Sequence, residues 1–266
     1  MGNLIKMDFY RMRKGKSFIV NLILVFLTAI ISAPLVKLMY FIANQLMKAT
    51  TKPGQEFQEY VFEKNINLSE LIASPFIAKP ILVLLFVSVI SFTYADIANG
   101  YVKNIAGQLP RRGHTVISKF VVISVHNIIF MLVSLCGRIL SQFTVRTIIA
   151  DENIATSIVT FFLKWLLLQS ICTILLFLTT GLRNKTFASI VGVIVGTGVL
   201  AAVYLGIDTA LMKVFHFSDM YLLTYGPDQL LSLGRVTIFN GLFVSGIIIA
   251  IFLPATIKIF NKKDVK

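Results

Sequence analysis

Six stretches of this chain stay apolar for longer than a buried core helix needs, and that limits the solvent in which it can fold. They are residues 18–35, 81–97, 116–137, 158–178, 187–206 and 236–253. A hydrocarbon layer of ~30 Å takes roughly 20 residues of helix. Lipid leaves only helices and closed barrels with every backbone group paired, and continuous runs rather than strict alternation select helices. The 266 residues are 56% hydrophobic and only 14% charged, with a mean hydropathy of +0.83. A soluble domain carries about 25% charge, so this chain has too little polar surface to cover a water-soluble globule. The expected fold class is an all-α integral membrane protein with six transmembrane helices and no separate soluble domain over 1–266.

Two runs carry polar residues at depth. His126 and Asn127 sit in the middle of the third, and Lys164 sits in the fourth. Lys164 falls one to two turns below the predicted outer surface and is expected to snorkel outward, since insertion of a charge at the bilayer centre costs ~2.5–3.5 kcal/mol. The first run follows basic residues, as a signal peptide's does. It is longer than a signal's ~7–15-residue apolar region, and Ile31-Ser32-Ala33 lacks a small first residue, so it is expected to stay as a span that can continue as helix past Lys37.

Six spans put both termini on one side, and Lys and Arg choose the side. With the termini in the cytoplasm, the inner segments hold 15 of the 25 cations against three acids, Asp8, Asp96 and Asp264. The other cations share the outer segments with nine acids. The net charge of +13 is thereby a cytoplasmic surplus and requires no nucleic acid. Tyr40, Tyr94, Trp165, Tyr204 and Tyr221 fall near predicted interfaces, as an aromatic belt does. Within residues 1–16, Ile5, Phe9 and Met12 form one helical stripe among basic residues, while Leu4 and Met7 lie off it. This pattern predicts an amphipathic helix on the inner membrane surface. The long outer segments are 44–79 and 207–235, and the one sizeable inner loop is 98–115.

Motifs for catalysis are missing. The sequence has no G-x-x-x-x-G-K-[ST] and no H-E-x-x-H, and His114, His126 and His216 lie in separate segments. No catalytic or metal-ligating residue is therefore expected. Cys136 and Cys172 are expected to pack as small apolar residues. Residues 196–201 match G-x-G-x-x-A, but that fingerprint needs a strand before it and a helix after it, and here it lies inside an apolar run. Gly192 and Gly196 form G-x-x-x-G, which lets helix backbones approach closely. Either a dimer seam or packing inside one subunit fits that spacing. His126 and Asn127 likewise fit two roles, hydrogen bonding to a neighbouring helix or lining a substrate path. The membrane interior holds no pair of carboxylates, which argues against a proton- or sodium-coupled carrier and an intramembrane aspartyl protease.

Residues 95–119 read ADIANGYVKNIAGQLPRRGHTVISK. Val102, Ile105 and Leu109 share a helical stripe, Gly100 frees the backbone before it and Pro110 stops it. An apolar stripe on a basic loop fits a docking helix for another protein or a loop resting on lipid headgroups. The order of features resembles the permease subunit of bacterial ABC-2-type exporters: a basic amphipathic helix, six spans, D-I-x-x-G-x-x-K-N-I after the second span, a basic cluster, and a lysine opening the third. The resemblance implies a multi-pass protein of the bacterial cell membrane, working as a homodimer or with a paralogous permease. ATP and Mg would be bound by a separate ATPase subunit and no cofactor by this chain. It implies that Gly100, Tyr101, Val102, Lys103, Asn104 and Ile105, with the cluster Arg111 and Arg112, form the ATPase-coupling segment. It favours the dimer-interface role for Gly192 and Gly196 and leaves His126 and Asn127 as candidates for the substrate path. The implied cargo is an amphipathic or apolar substrate, such as an antimicrobial or toxin peptide. An ATP-independent carrier or channel is the alternative class.

Overall fold

The computed structural model describes residues 1–50, 65–77, 79–101, 112–150, 154–216, 219–233 and 236–262. The chain begins with α1 (Gly2–Lys14), and Gly15 turns it into α2 (Lys16–Thr50). Gly15 takes an extended conformation while its N–H closes on the carbonyls of Arg11 and Met12. A strand β1 (Asn65–Asn67) leads to α3 (Leu68–Ile77) and α4 (Lys79–Ala98). Next come α5 (His114–Val145), β2 (Ile148–Ala150) and α6 (Ile154–Leu176), which ends in a π-turn at Phe177–Gly181. The last elements are α7 (Lys185–Thr197), α8 (Leu200–Phe215), α9 (Tyr221–Tyr225), α10 (Pro227–Ser232) and α11 (Ile238–Lys262). Among the described residues the fold is helical, apart from the three-residue parallel pairing of β1 with β2.

Five helices are long and apolar enough to cross a membrane: α2, α4, α5, α6 with its π-turn, and α11. The sixth expected span, 187–206, is not one straight helix. α7 and α8 meet at 83°, and together they make a sixth span only if the bent pair counts as one. The break falls at Gly198, whose φ of +78° is a left-handed conformation that glycine adopts without strain. The 13 residues of α7 reach only about 20 Å. The other runs lie within or beside their helices. The expectation for the last stopped at Pro254, but α11 continues through it to Lys262. Proline is tolerated there because lipid-embedded helices find other partners for the freed backbone.

The core is apolar and centred on α6 and α4. Leu167, Leu168, Cys172, Leu175 and Leu176 of α6 meet Ile81, Leu85, Phe86 and Ile90 of α4. Burying a side chain of this size from water is worth ~1.5–3 kcal/mol, but lipid supplies no such drive, so close packing and hydrogen bonds join the helices. Pro34 illustrates the second. It cannot donate to the Ile30 carbonyl one turn back. Ser141 of α5 donates to that carbonyl at 2.6 Å and accepts from the Ala33 N–H at 3.0 Å. The kink-forming residue thus becomes a joint between α2 and α5.

α2 has 35 residues, about 50 Å of helix against ~30 Å of hydrocarbon. Its far end exposes Leu38, Met39, Phe41 and Leu46. At that end of the bundle the connecting segments fold back as a cap. Arg138 of α5 is buried and donates to the hydroxyl and carbonyl of Ser74 in α3, at 2.6 and 2.9 Å. Asp208 of α8 accepts the backbone N–H groups of Leu222 and Leu223 at 3.0 and 2.8 Å, at the start of α9. The opposite end holds α1, the end of α4 and the start of α5. There Gly113 comes so close to α11 that a Cβ would stand 2.8 Å from the Ile257 side chain.

Gly192 and Gly196 face α4 of the same chain. A Cβ at Gly192 would meet Ile90 at 2.9 Å, and one at Gly196 would meet Val83 at 2.7 Å and its backbone nitrogen at 3.0 Å. This face serves packing inside the subunit. Gly196→Ala and Gly246→Ala gain the same helix propensity of about 1 kcal/mol, but nothing lies within 4 Å of a Cβ at Gly246. Gly246→Ala should hold or raise the melting temperature in detergent. Gly196→Ala should lower it, by an overpacking cost of about 1–3 kcal/mol. Equal shifts for the two would show that the α4–α7 contact is loose.

Candidate functional site: a buried ionic cluster at the α1 end

α1 presents Leu4, Asp8 and Met12 to the bundle, spaced four residues apart on one face. This corrects the expected stripe. Met12 belongs to it, Ile5 and Phe9 are half-buried at its side, and Leu4, set apart by the sequence pattern, is buried. The central residue of the face is an acid. Asp8 is 2% exposed and accepts a 2.5 Å hydrogen bond from Ser118 of α5.

Arg11, one turn on, reaches two acids. Its guanidinium lies 3.8 Å from Asp8 and closes an ion pair with Asp96 at the end of α4. Lys119 of α5 reaches the other oxygen of Asp96 at 2.7 Å and donates to the Thr93 carbonyl at 3.0 Å. Lys119 is 1% exposed and Asp96 3%. Two acids and two cations therefore neutralise one another where α1, α4 and α5 meet. Burial pushes the Asp8 carboxyl above its usual range, outweighing the hydrogen bond from Ser118 that pulls the other way. Asp8 is held by packing and one strong hydrogen bond more than by charge.

The same cluster holds the start of the expected coupling segment. Gly100 is left-handed with φ +65°, and Tyr101 after it lies under Arg11, whose guanidinium carbon is 4.2 Å from the ring centre. The Tyr101 hydroxyl contacts the Met7 sulfur of α1. At the other end of the segment, the Arg112 carbonyl accepts the Thr115 N–H at 3.1 Å as α5 begins. Val102, Lys103, Asn104, Ile105 and Arg111 lie outside the described residues.

The two polar residues of the third run separate. Asn127 faces α6 and donates to Gln169 at 2.8 Å, a hydrogen bond between two helices. His126 faces the other way. Its ring packs at 5.3 Å from that of Phe18, its Nε2 is 3.4 Å from Ser88 Oγ, and it lines a cavity of about 420 Å³ beside the ionic cluster. Lys164 does not snorkel. It is fully buried, and its ammonium donates to the carbonyls of Leu230 and Leu231 at 3.0 and 2.8 Å and to that of Leu233. These are the orphan carbonyls at the C-terminal end of α10, where a cation is favoured. Among the described residues no group of three or more His, Cys, Asp or Glu could hold a metal ion.

Asp96 and Lys119 were visible in the sequence as the ends of their spans. The partnership of Asp8 and Arg11 with Ser118 and Asp96 leaves no such pattern in the sequence. The available signal was that Asp8 is the one acid within residues 2–16. Comparison with protein-family models and with curated proteins finds no match for this chain. Fold and site together define a multi-pass membrane protein whose ionic cluster clamps an N-terminal helix to two spans.

Removing one partner of a buried pair leaves a naked charge, at a cost of about 3–5 kcal/mol, whereas replacing both by apolar groups is often neutral. Asp96→Asn should therefore lower the melting temperature sharply, and Asp96→Leu with Lys119→Met should recover much of the loss. If the double variant is no better than Asp96→Asn, the pair is not the unit that holds α4 to α5.

Proposed function

We propose that this chain is the transmembrane permease subunit of an ABC-2-type exporter in a bacterial cell membrane. On this reading the termini and the α1 end are cytoplasmic, the bent pair counts as the fifth of six spans, and α1 lies at the inner interface. A second copy or a paralogous permease completes the transmembrane unit, and separate ATPase subunits bind ATP and Mg. The cargo is an amphipathic or apolar molecule, a class that includes antimicrobial and toxin peptides, taken from the cytoplasm or inner leaflet.

The observation that supports it best is the anchoring of the segment after α4. Tyr101 stacks on Arg11, and Arg11 is bound into the cluster that joins α1, α4 and α5. A partner pressing on residues 102–111 would act on all three helices at once. Closure of the two ATPases on ATP would then move the α1 end and switch the permease between inward and outward states. An ATP-independent carrier needs no such joint at a basic loop.

Val102→Asp with Ile105→Asp puts two acids on the apolar stripe. The variant should remain in the membrane, lose the nucleotide-hydrolysing subunit that co-purifies with the tagged wild type, and lose ATP-dependent transport. Unchanged co-purification and transport would remove the coupling assignment, and ATP-independent transport by the purified chain would favour the carrier. Orientation has its own measurement. Asn99 and Arg146 are exposed at opposite ends of the described bundle. As single cysteines in a chain lacking Cys136 and Cys172, Arg146→Cys should react with an impermeant thiol reagent in intact cells. Asn99→Cys should react only after lysis, and the reverse pattern would invert the topology.

A further inference from the structure

The cavity beside the ionic cluster has the features of a binding site. It lies under the elbow between α1 and α2, against α4 and α5, and its volume of about 420 Å³ falls in the range of small-molecule pockets, ~300–1,000 Å³. Its walls are apolar: Phe18 from α2, Val89 and Phe92 from α4, Ile123 from α5. Its mouth is basic. Arg11, Lys14 and Lys16 border it, and Asp96 is the one acid in its lining. Asp96 is already engaged by Arg11 and Lys119. Lys14 and Lys16 flank the Gly15 turn and are exposed.

Two buried nitrogens here lack hydrogen-bond partners. Arg11 Nη1 is one, since its 3.8 Å approach to Asp8 is too long for a hydrogen bond. Nδ1 of His126 is the other, on a residue only 4% exposed. Buried polar groups without partners carry a cost of about 1–3 kcal/mol each, and they mark places where a ligand can supply what the fold does not.

We propose that this cavity binds a single-chain amphiphile with an anionic head. The chain lies between Phe18, Val89, Phe92 and Ile123, and the acid meets Arg11, Lys14 and Lys16 at the elbow. Ser88 and His126 border the chain's path. A zwitterionic head offers the three cations its own cation as well as its anion, and so gains less from them. The source is a free fatty acid or a lysophospholipid, which share this chemistry. The assignment rests on the pocket and is independent of whether the chain transports anything.

The purified chain in neutral detergent is titrated by native mass spectrometry with three probes: myristate, myristoyl-lysophosphatidylglycerol and myristoyl-lysophosphatidylcholine. At least one anionic probe should bind about tenfold more tightly than the choline lipid, a difference of about 1.4 kcal/mol. Which anionic probe leads identifies the source. Lys14→Gln with Lys16→Gln should erase the preference and leave the weak binding of the choline lipid. Lys258→Gln with Lys262→Gln, at the same end but outside the cavity lining, should leave the preference intact. Phe92→Trp narrows the chain's path and should abolish binding of all three. Ser91→Phe, also in the lining, replaces it if that variant does not fold. Equal affinity for the anionic and choline probes in the wild type overturns the proposal. So does loss of preference in the Lys258 and Lys262 variant, or unchanged binding when the path is filled. Transport is absent from this measurement, so its outcome is separate from that of the permease reading.

Discussion

The pairing of Asp96 with Lys119 is the contact on which the α1 end of this protein depends. It joins the last turn of α4 to the first turns of α5, at the two edges of the segment 102–111 that connects them. Without it, two charges that are almost fully buried would each need water that the apolar bundle excludes. The pair also creates the seat for α1. Asp96 has a second oxygen, Arg11 takes it, and Arg11 brings Asp8 to Ser118. α1 adds one cation and one acid to a pair that is already neutral, so its docking leaves the net charge of the cluster at zero while giving Asp96 a second partner. The N-terminal helix is part of the bundle's electrostatics, and a bare surface anchor would not need an acid on its inner face.

The same economy governs the other end. A low-dielectric bundle makes every unpaired polar group expensive, and several polar residues here are placed where a backbone group has been orphaned. Ser141 fills the gap left by Pro34. Arg138 holds the Ser74 carbonyl in α3, and Lys164 gathers three carbonyls at the end of α10. Asp208 takes the complementary role at the N-terminal start of α9. Short helices of five or six residues cannot stand on their own hydrogen bonds. Here α9 is capped at its start and α10 at its end by charged side chains from longer helices, and that is what turns the connecting segments into a cap.

These partnerships explain what could be read from the sequence. The spans were legible because an apolar run of about 20 residues has few alternatives. Asp96 and Lys119 were legible because they end such runs. The break at Gly198 was hidden because apolarity continues across it, and hydropathy does not register a left-handed φ. The sequence pattern around Lys164 fits a snorkelling residue because its partners lie 66 and 67 residues away, in a helix too short to leave a pattern. Asp8 is hidden for a different reason. An apolar stripe excludes an acid, and only the four-residue spacing of Leu4, Asp8 and Met12 marks the buried face. Gly192 and Gly196 were legible as a close-approach surface, but spacing cannot say which helix approaches. Val83 and Ile90 of α4 answer that.

Arg11 connects the cavity to the segment that follows α4. It is shared among Asp8, Asp96 and the Tyr101 ring, it lines the cavity, and one of its buried nitrogens is without a hydrogen bond. On the proposed reading, an anionic head at the elbow draws on the same guanidinium that holds the start of the coupling segment. Linkage then runs both ways: if occupancy of the cavity changes how firmly Tyr101 and Asp96 are held, a partner that moves Tyr101 must change the affinity of the cavity by the same factor. On that reading Lys119, which also donates to the Thr93 carbonyl, keeps α4 and α5 joined through Asp96, and Arg11 is the one cluster member that touches α1, α4 and Tyr101 together.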